Sequence, residues 1–349
     1  MASETPIVEQ TTGLPASPPT PDTIQEPIGS RVREAIANIL RIREMAMVIL
    51  ILFTCILLSI LSPHFLNLAN FIAIARGFSM EGLVVVGMSM LLIAGKFDLS
   101  VGSVMALSGI VSAWLMVKGQ MPPPVAVLGG LGVGMLTGTI NGIVVTRIKV
   151  NPLIATLGMM SIARGCALGF TEGHPVIGVP MDFAWIGQGS IAGVPIPVII
   201  MLIVVVVADI LLRRGRALRQ LYYVGGSEKA AQLSGIPVDR VVFLAFVASG
   251  FFAAMAGIIS MARLTSGVPT AFSGVELRII AACVIGGASL SGGEGTIVGS
   301  VLGLIFMALV TNAMTLFGVS IYWEGVVTGT ILTVAVSLDM ISRRRLRGA

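Results

Sequence analysis

The chain has 349 residues, of which 55% are hydrophobic and only 11% charged, and its mean hydropathy is +0.98. Soluble domains carry about 25% charged residues, so this composition excludes a water-soluble fold and places the bulk of the chain in a membrane. The formal net charge of +5 needs no nucleic-acid partner, because lysine and arginine gather in short segments between apolar runs, where they set the orientation of a membrane protein.

Residues 1–30 are rich in proline, with four acids and no lysine or arginine. They read as a disordered cytoplasmic tail and lack the charged and apolar regions of a signal peptide. Residues 31–43 place Val32, Ile36, Ile39 and Leu40 at helical spacing, away from Arg33, Asn38 and Arg41. That pattern predicts an amphipathic helix lying on the membrane surface. Residues 44–340 form the transmembrane domain, and 341–349 a basic cytoplasmic tail.

A spanning helix needs about 20 mostly apolar residues. Candidates run over 45–61, 78–95, 101–118, 124–145, 153–171, 195–212, 241–262, 278–290, 296–317 and 322–339. The segment from Arg278 is short and glycine-rich. The fold class is all-α, a polytopic membrane protein of about ten transmembrane helices. With the amino terminus in the cytoplasm, seventeen of the twenty-two basic residues fall on one side, and the opposite loop from Glu172 to Pro195 has none. Both termini are then cytoplasmic, as an even number of crossings requires.

A shift of 171 residues aligns the fourth span with the ninth: Gly132 with Gly303, Asn141 with Asn312, Ile148 with Val319 and Val150 with Ile321. Five spans reverse orientation, so the halves are expected to be inverted copies, an arrangement of transporters whose solute path lies at the repeat interface. Glycine ladders at 130, 134, 138 and 142, and at 295, 299 and 303, suit close helix packing.

Three segments stand out. Residues 94–103, AGKFDLSVGS, break the second and third spans with glycine, the charges of Lys96 and Asp98, and Ser100 as a cap for the next helix. Residues 222–237, YYVGGSEKAAQLSGIP, lie in the long basic loop. Glu228, Ala230, Ala231 and Gly235 fit a short helix there; the alanines allow close approach to a groove and the glycine lets the chain turn. A merely solvated loop is the plain alternative. Residues 285–296, IGGASLSGGEGT, predict a tight turn at a membrane boundary.

Together with Asn141-Gly142, KVNPLIATLG at 149–158 and SIARG at 161–165, these segments resemble the permease subunits of ribose-type ATP-binding-cassette (ABC) importers. The resemblance covers about residues 45–340. Lys96 departs from it, standing where relatives more often carry a small or apolar residue. The resemblance implies import of a sugar or sugar-like solute, of the ribose, xylose or autoinducer-2 class, across a bacterial inner membrane. It implies as partners an ABC ATPase subunit, a periplasmic or surface-tethered solute-binding protein, a second permease copy or close homologue, and membrane lipid. Glu228, Ala230, Ala231 and Gly235 approximate the pattern by which such permeases dock their ATPase. The LSGGE run at 290–294 is similar to an ABC ATPase signature, but the chain holds no GxxxxGK[ST] phosphate loop. ATP and magnesium therefore belong on a separate ATPase chain, this chain is expected to bind no cofactor, and it is a transport subunit rather than an enzyme.

Ionisable groups within spans are costly and face a bundle interior or an aqueous path. Glu81, Asp98, Arg164, Glu276, Arg278, Glu324 and Asp339 qualify, with Glu81 a candidate partner for Arg164. Asn141 and Asn312 offer amides that donate to and accept from hydroxyls, as a neutral polyol requires. Glu81, Asp98, Asn141, Arg164 and Asn312 are the expected path residues, with pairing between helices as the alternative for each. Cys55, Cys166 and Cys283 have no disulfide or metal spacing, and His64 and His174 form neither a metal site nor a triad. The rival functions are an ion-coupled secondary transporter and a branched-chain amino-acid ABC permease.

Overall fold

The computed structural model describes residues 43 to 347, so the expected tail at 1–30 and all of the expected surface helix except Arg43 lie outside it. The described chain is helical: α1 (Arg43–Leu61), α2 (Leu68–Ile93), α3 (Val101–Val117), α4 (Pro123–Thr146), α5 (Pro152–Thr171), α6 (Met181–Gln188), α7 (Ile196–Arg214), α8 (Arg216–Gly226), α9 (Glu228–Leu233), α10 (Val238–Leu264), α11 (Val275–Ile285), α12 (Ile297–Leu316) and α13 (Glu324–Arg347). Two antiparallel pairings complete it: β1 (Val176–Ile177) with β4 (Ser266–Gly267), and the hairpin of β2 (Ser190–Ile191) and β3 (Val194–Pro195).

Eight helices among the described residues, α1, α2, α4, α5, α7, α10, α12 and α13, are long and apolar enough to cross a membrane. The chain is a polytopic membrane protein. The remaining two of the ten expected spans are shorter. At 17 residues α3 is nearly sufficient, but α11 has only 11 residues, about 16 Å of helix against a hydrocarbon thickness of about 30 Å. The expected span at 278–290 is thus a half-helix preceded by non-helical backbone at 268–274. A second difference lies in α2, which begins ten residues before the expected 78 because Asn67 caps it, its side chain accepting from the Ala69 N–H. Asn70, Arg76 and Gly77 lower the hydropathy of that first stretch and hide the helix. The expected loop at 172–195 also holds a short helix, α6, whose Phe183 and Ala184 are buried.

The inverted repeat emerges from the helix boundaries. Adding 171 to the bounds of α2 gives 239–264, against 238–264 for α10. The same shift carries α3 to 272–288 over α11, α4 to 294–317 over α12, and α5 to 323–342 over α13. Direction reverses between the halves. Arg263 near the end of α10 donates to the Arg76 carbonyl near the start of α2, so these two run antiparallel. Along α4, Gly134 meets Gly250 and Ala254 while Gly142 meets Phe243, so α4 is antiparallel to α10. Gly82 of α2 faces Leu304 and Asn70 bonds Asn312, so α12 is antiparallel to α2. The copies exchange partners: the fourth helix of each half packs on the long helix of the other.

Glycine makes this approach possible. A methyl group on Gly134 would collide with the Gly250 carbonyl, and one on Gly250 with the Gly134 carbonyl, whereas Gly132 faces open space. Backbone cannot yield as a side chain tip does, so overpacking here costs about 1–3 kcal/mol. Gly134→Ala should therefore lower the thermal midpoint of the detergent-solubilised protein by several degrees, while Gly132→Ala on the same helix leaves it within a degree. Equal midpoints would remove the packing role assigned to the ladder.

Candidate functional site

Both repeats break at the same point. After α2 the chain runs non-helically through 94–100 before α3, and after α10 through 265–274 before α11. The first turn of α3 packs on the second break, Gly102 lying against the Phe272 carbonyl and against the Glu276 carboxylate in the first turn of α11. Unwound backbone among apolar helices must find hydrogen-bond partners within the protein. One charged side chain serves each break.

In the first break, Asp98 is 1% exposed. Its Oδ1 accepts from the Ser100 N–H at 2.9 Å and the Ser100 hydroxyl at 2.5 Å, and its Oδ2 from the Ser249 hydroxyl of α10 at 3.2 Å. Asn141 of α4, equally buried, donates to Ser100 Oγ at 3.1 Å. Ser100 does not cap α3 with its side chain, contrary to expectation, because its hydroxyl is drawn back to Asp98. In the second break, Arg164 of α5 donates through Nη1 to the carbonyls of Pro269 at 2.5 Å and Ala271 at 2.8 Å. Asp98 and Asn141 are thus enclosed by the segments they hold together, whereas Arg164 is half-buried.

Glu81 is not the partner of Arg164. It bonds Arg278 of α11 at 2.5 Å, and Arg278 also grips Glu324 at the start of α13. Thr311 of α12 donates to Glu324 at 3.4 Å. Asn312 and Asn70 form a reciprocal amide pair, at 2.7 and 3.2 Å. Glu81, Arg278, Asn70, Thr311 and Asn312 line one cavity of about 320 Å³ between α2 and α12. Two of the five expected path residues, Glu81 and Asn312, therefore share a cavity wall. Asn70 and Thr311 were not anticipated; carrying α2 back to its Asn67 cap would have put residues 70, 74, 77 and 81 on one face.

At the opposite end of α2 lies the expected docking segment. Helix α9 is six residues long, its cap Ser227 accepting from the Ala230 N–H. Gly235, at φ +79°, turns the chain towards α10, in a conformation that disfavours other residues. The two alanines divide: Ala231 is buried, whereas Ala230 is exposed beside Leu233, which is 91% exposed. Glu228 pairs with Lys96 at 2.7 Å, so Lys96 is engaged by α9 rather than by Asp98. Lys149 similarly pairs with Asp239 at 2.6 Å. A cleft of about 1160 Å³ opens beside α9, between the end of α4 and the start of α10, with Arg147, Asp239 and Arg240 on its walls.

A backbone junction joins α9 to the breaks. Gly225 lies against the Ile93 carbonyl and Gly293, Gly292 against Gly95 and the Gly225 carbonyl, and Gly293 against Gly226. The Gly293 N–H donates to the Ile93 carbonyl and the Tyr222 hydroxyl to the Gly295 carbonyl, both at 2.8 Å. Burial, reinforced by the charges of Asp209 and Glu44 and opposed by Arg213, pushes the Tyr222 phenol above its ordinary value. It remains a donor at every physiological pH. The turn at 290–294 is this junction's third strand.

Residues 70–336 match the family described as "Branched-chain amino acid transport system / permease component". The chain belongs to that family. It is 40% identical over 286 residues to the ribose import permease protein RbsC of Bacillus subtilis (strain 168), covering 81% of this chain and 88% of that protein. Against the L-arabinose ABC transporter permease protein AraH of Azospirillum brasilense the identity is 33% over 329 residues, 94% of this chain and 96% of the relative. The D-allose transport system permease protein AlsC of Escherichia coli (strain K12) is 37% identical over 282 residues, 80% of this chain and 86% of its own length. No solved structure matches.

The braces should be needed for folding. Asp98→Ala strips a buried N–H and two hydroxyls of their acceptor, a loss of about 2–4 kcal/mol, whereas Asp98→Asn keeps one acceptor oxygen and should lose less. Arg164→Met leaves two carbonyls of the second break unpaired and should resemble Asp98→Ala. Yield of monodisperse protein and thermal midpoint measure both. A fully stable Asp98→Ala with transport abolished would instead assign Asp98 to the path.

Proposed function

We propose that this chain is the membrane-spanning subunit of an ATP-driven importer of a simple sugar, and that it works with a separate ABC ATPase, a solute-binding protein and a second copy or close homologue. The observation that carries the reading is α9, a short helix with an exposed Ala230–Leu233 face clamped to the membrane domain by a buried alanine, an ion pair and a glycine junction. Relatives of 33–40% identity are named as ribose, L-arabinose and D-allose permeases, which favours a pentose or hexose over a branched-chain amino acid. The lysine and arginine bias of the short loops supports a cytoplasmic side for α9 and both termini, at a bacterial inner membrane.

The contacts also suggest how motion travels. An ATPase that moves α9 meets no compressible layer at Gly225, Gly292 and Gly293, because backbone rests on backbone there. Displacement passes to the end of α2, hence to the break that Asp98 holds, and through Gly293 to the loop after α11. The exposed Lys96–Glu228 pair contributes about 0–1 kcal/mol of stability; its use is to keep α9 in register with that turn. ATP and magnesium act on the ATPase chain.

Co-purification with the candidate ATPase tests this. Wild type should retain the ATPase, while Ala230→Arg and Leu233→Asp, both at exposed positions, lose it at least tenfold without lowering the thermal midpoint. Lys149→Gln serves as a charge-loss control that retains binding. A wild-type chain that never binds an ATPase, yet alone moves sugar along an ion gradient, would transfer the assignment to the secondary transporters.

A further inference from the structure

The cavity between α2 and α12 lies away from α9. Asn70 stands 23 residues before Ile93, about 35 Å along α2 from the glycine junction, and Glu81 about halfway between them. The cavity therefore runs from the end of the helix opposite the docking helix to mid-depth. Its wall is apolar for the most part, with Ile74, Phe78 and Ala308, and sets Asn70, Glu81, Arg278, Thr311 and Asn312 among them, on two helices long and apolar enough to span a membrane.

Ionised groups at such depth are stable only against protein or water. Here Arg278 engages both Glu81 and Glu324, so the three groups together carry at most one net negative charge and each carboxylate already has a cationic partner. What remains is a set of amides and hydroxyls that both donate and accept, beside one aromatic face at Phe78. Vicinal hydroxyls pair with planar amides and carboxylates, and the C–H face of a sugar ring lies well on an aromatic ring. The volume of about 320 Å³ equals that of about ten water molecules, enough for a monosaccharide with part of its hydration shell.

We propose that this cavity is a polyol-binding chamber on the outward half of the transport path, in which Asn70, Asn312, Thr311 and the Glu81–Arg278 pair hydrogen-bond sugar hydroxyls and Phe78 supports the ring. The assignment rests on the sugar-importer reading and adds to it a site, a ligand chemistry and a location. The amide pair of Asn70 and Asn312 is the resting state of that wall, and opens when hydroxyls replace each amide's partner.

The test uses the complete complex in proteoliposomes, with Cys55, Cys166 and Cys283 replaced. Gly77→Cys puts a thiol on the chamber wall, where an added side chain meets open space, and Phe53→Cys puts one on the apolar, 62% exposed face of α1. The probe is a charged, membrane-impermeant methanethiosulfonate applied from outside, and the sugar is whichever of D-ribose, L-arabinose or D-allose the complex accumulates. Position 77 should react at least tenfold faster than position 53, and millimolar sugar should slow its labelling at least threefold. Asn312→Leu in the same background should leave position 77 reactive but remove the protection. Labelling at 77 no faster than at 53 would mean that lipid or protein covers the groove, which overturns the chamber. Fast labelling that no transported sugar slows would leave a wet groove and overturn the polyol site, with the importer reading intact. A chain that retains no ATPase and accumulates none of the three sugars removes the importer reading itself, and this assignment with it.

Discussion

Backbone that leaves the helix inside an apolar slab has no water to bond, and the rest of this structure is arranged around that constraint. There are two breaks, one per repeat, and each is stabilised by the charge complementary to what it exposes. The first presents N–H and hydroxyl donors and is held by the Asp98 carboxylate. The second presents carbonyls and is held by the Arg164 guanidinium. Both groups are costly to bury, and both are retained because removal would leave several polar groups unpaired.

The same breaks interrupt the rigidity of the long helices. A continuous helix resists shear, whereas a segment held by a few side chains has discrete alternatives. The glycine junction ties α9 to the end of α2 and to the turn at 290–294 by direct backbone contact. The segment leading into α9 thus touches both halves of the inverted repeat, although α9 belongs to neither. The Glu81–Arg278–Glu324 cluster makes the corresponding tie on the opposite side, joining α2, α11 and α13. Between these ties the long helices pack on glycine and alanine surfaces.

Much of the architecture was legible in the sequence. Runs of apolar residues located eight spanning helices within a few residues at most boundaries, and four weak matches at a shift of 171 anticipated a repeat that helix bounds and directions bear out. Where polar residues dilute an apolar run, as in the first third of α2, hydropathy failed and the Asn67 cap was the better signal. The half-helix α11 could not be told from a short span because a glycine-rich turn continues its apolar composition.

For the site, the sequence by itself determined which groups were unusual, since an ionisable residue in an apolar run is conspicuous on energetic grounds alone. What those groups do was decided by tertiary structure. Arg164 meets carbonyls 105 and 107 residues away and Arg278 meets a carboxylate 197 residues away. Composition reports the cost of burying a charge, which is a property of the residue. The partner that offsets the cost is a property of the packing, and only the fold brings it within hydrogen-bonding distance.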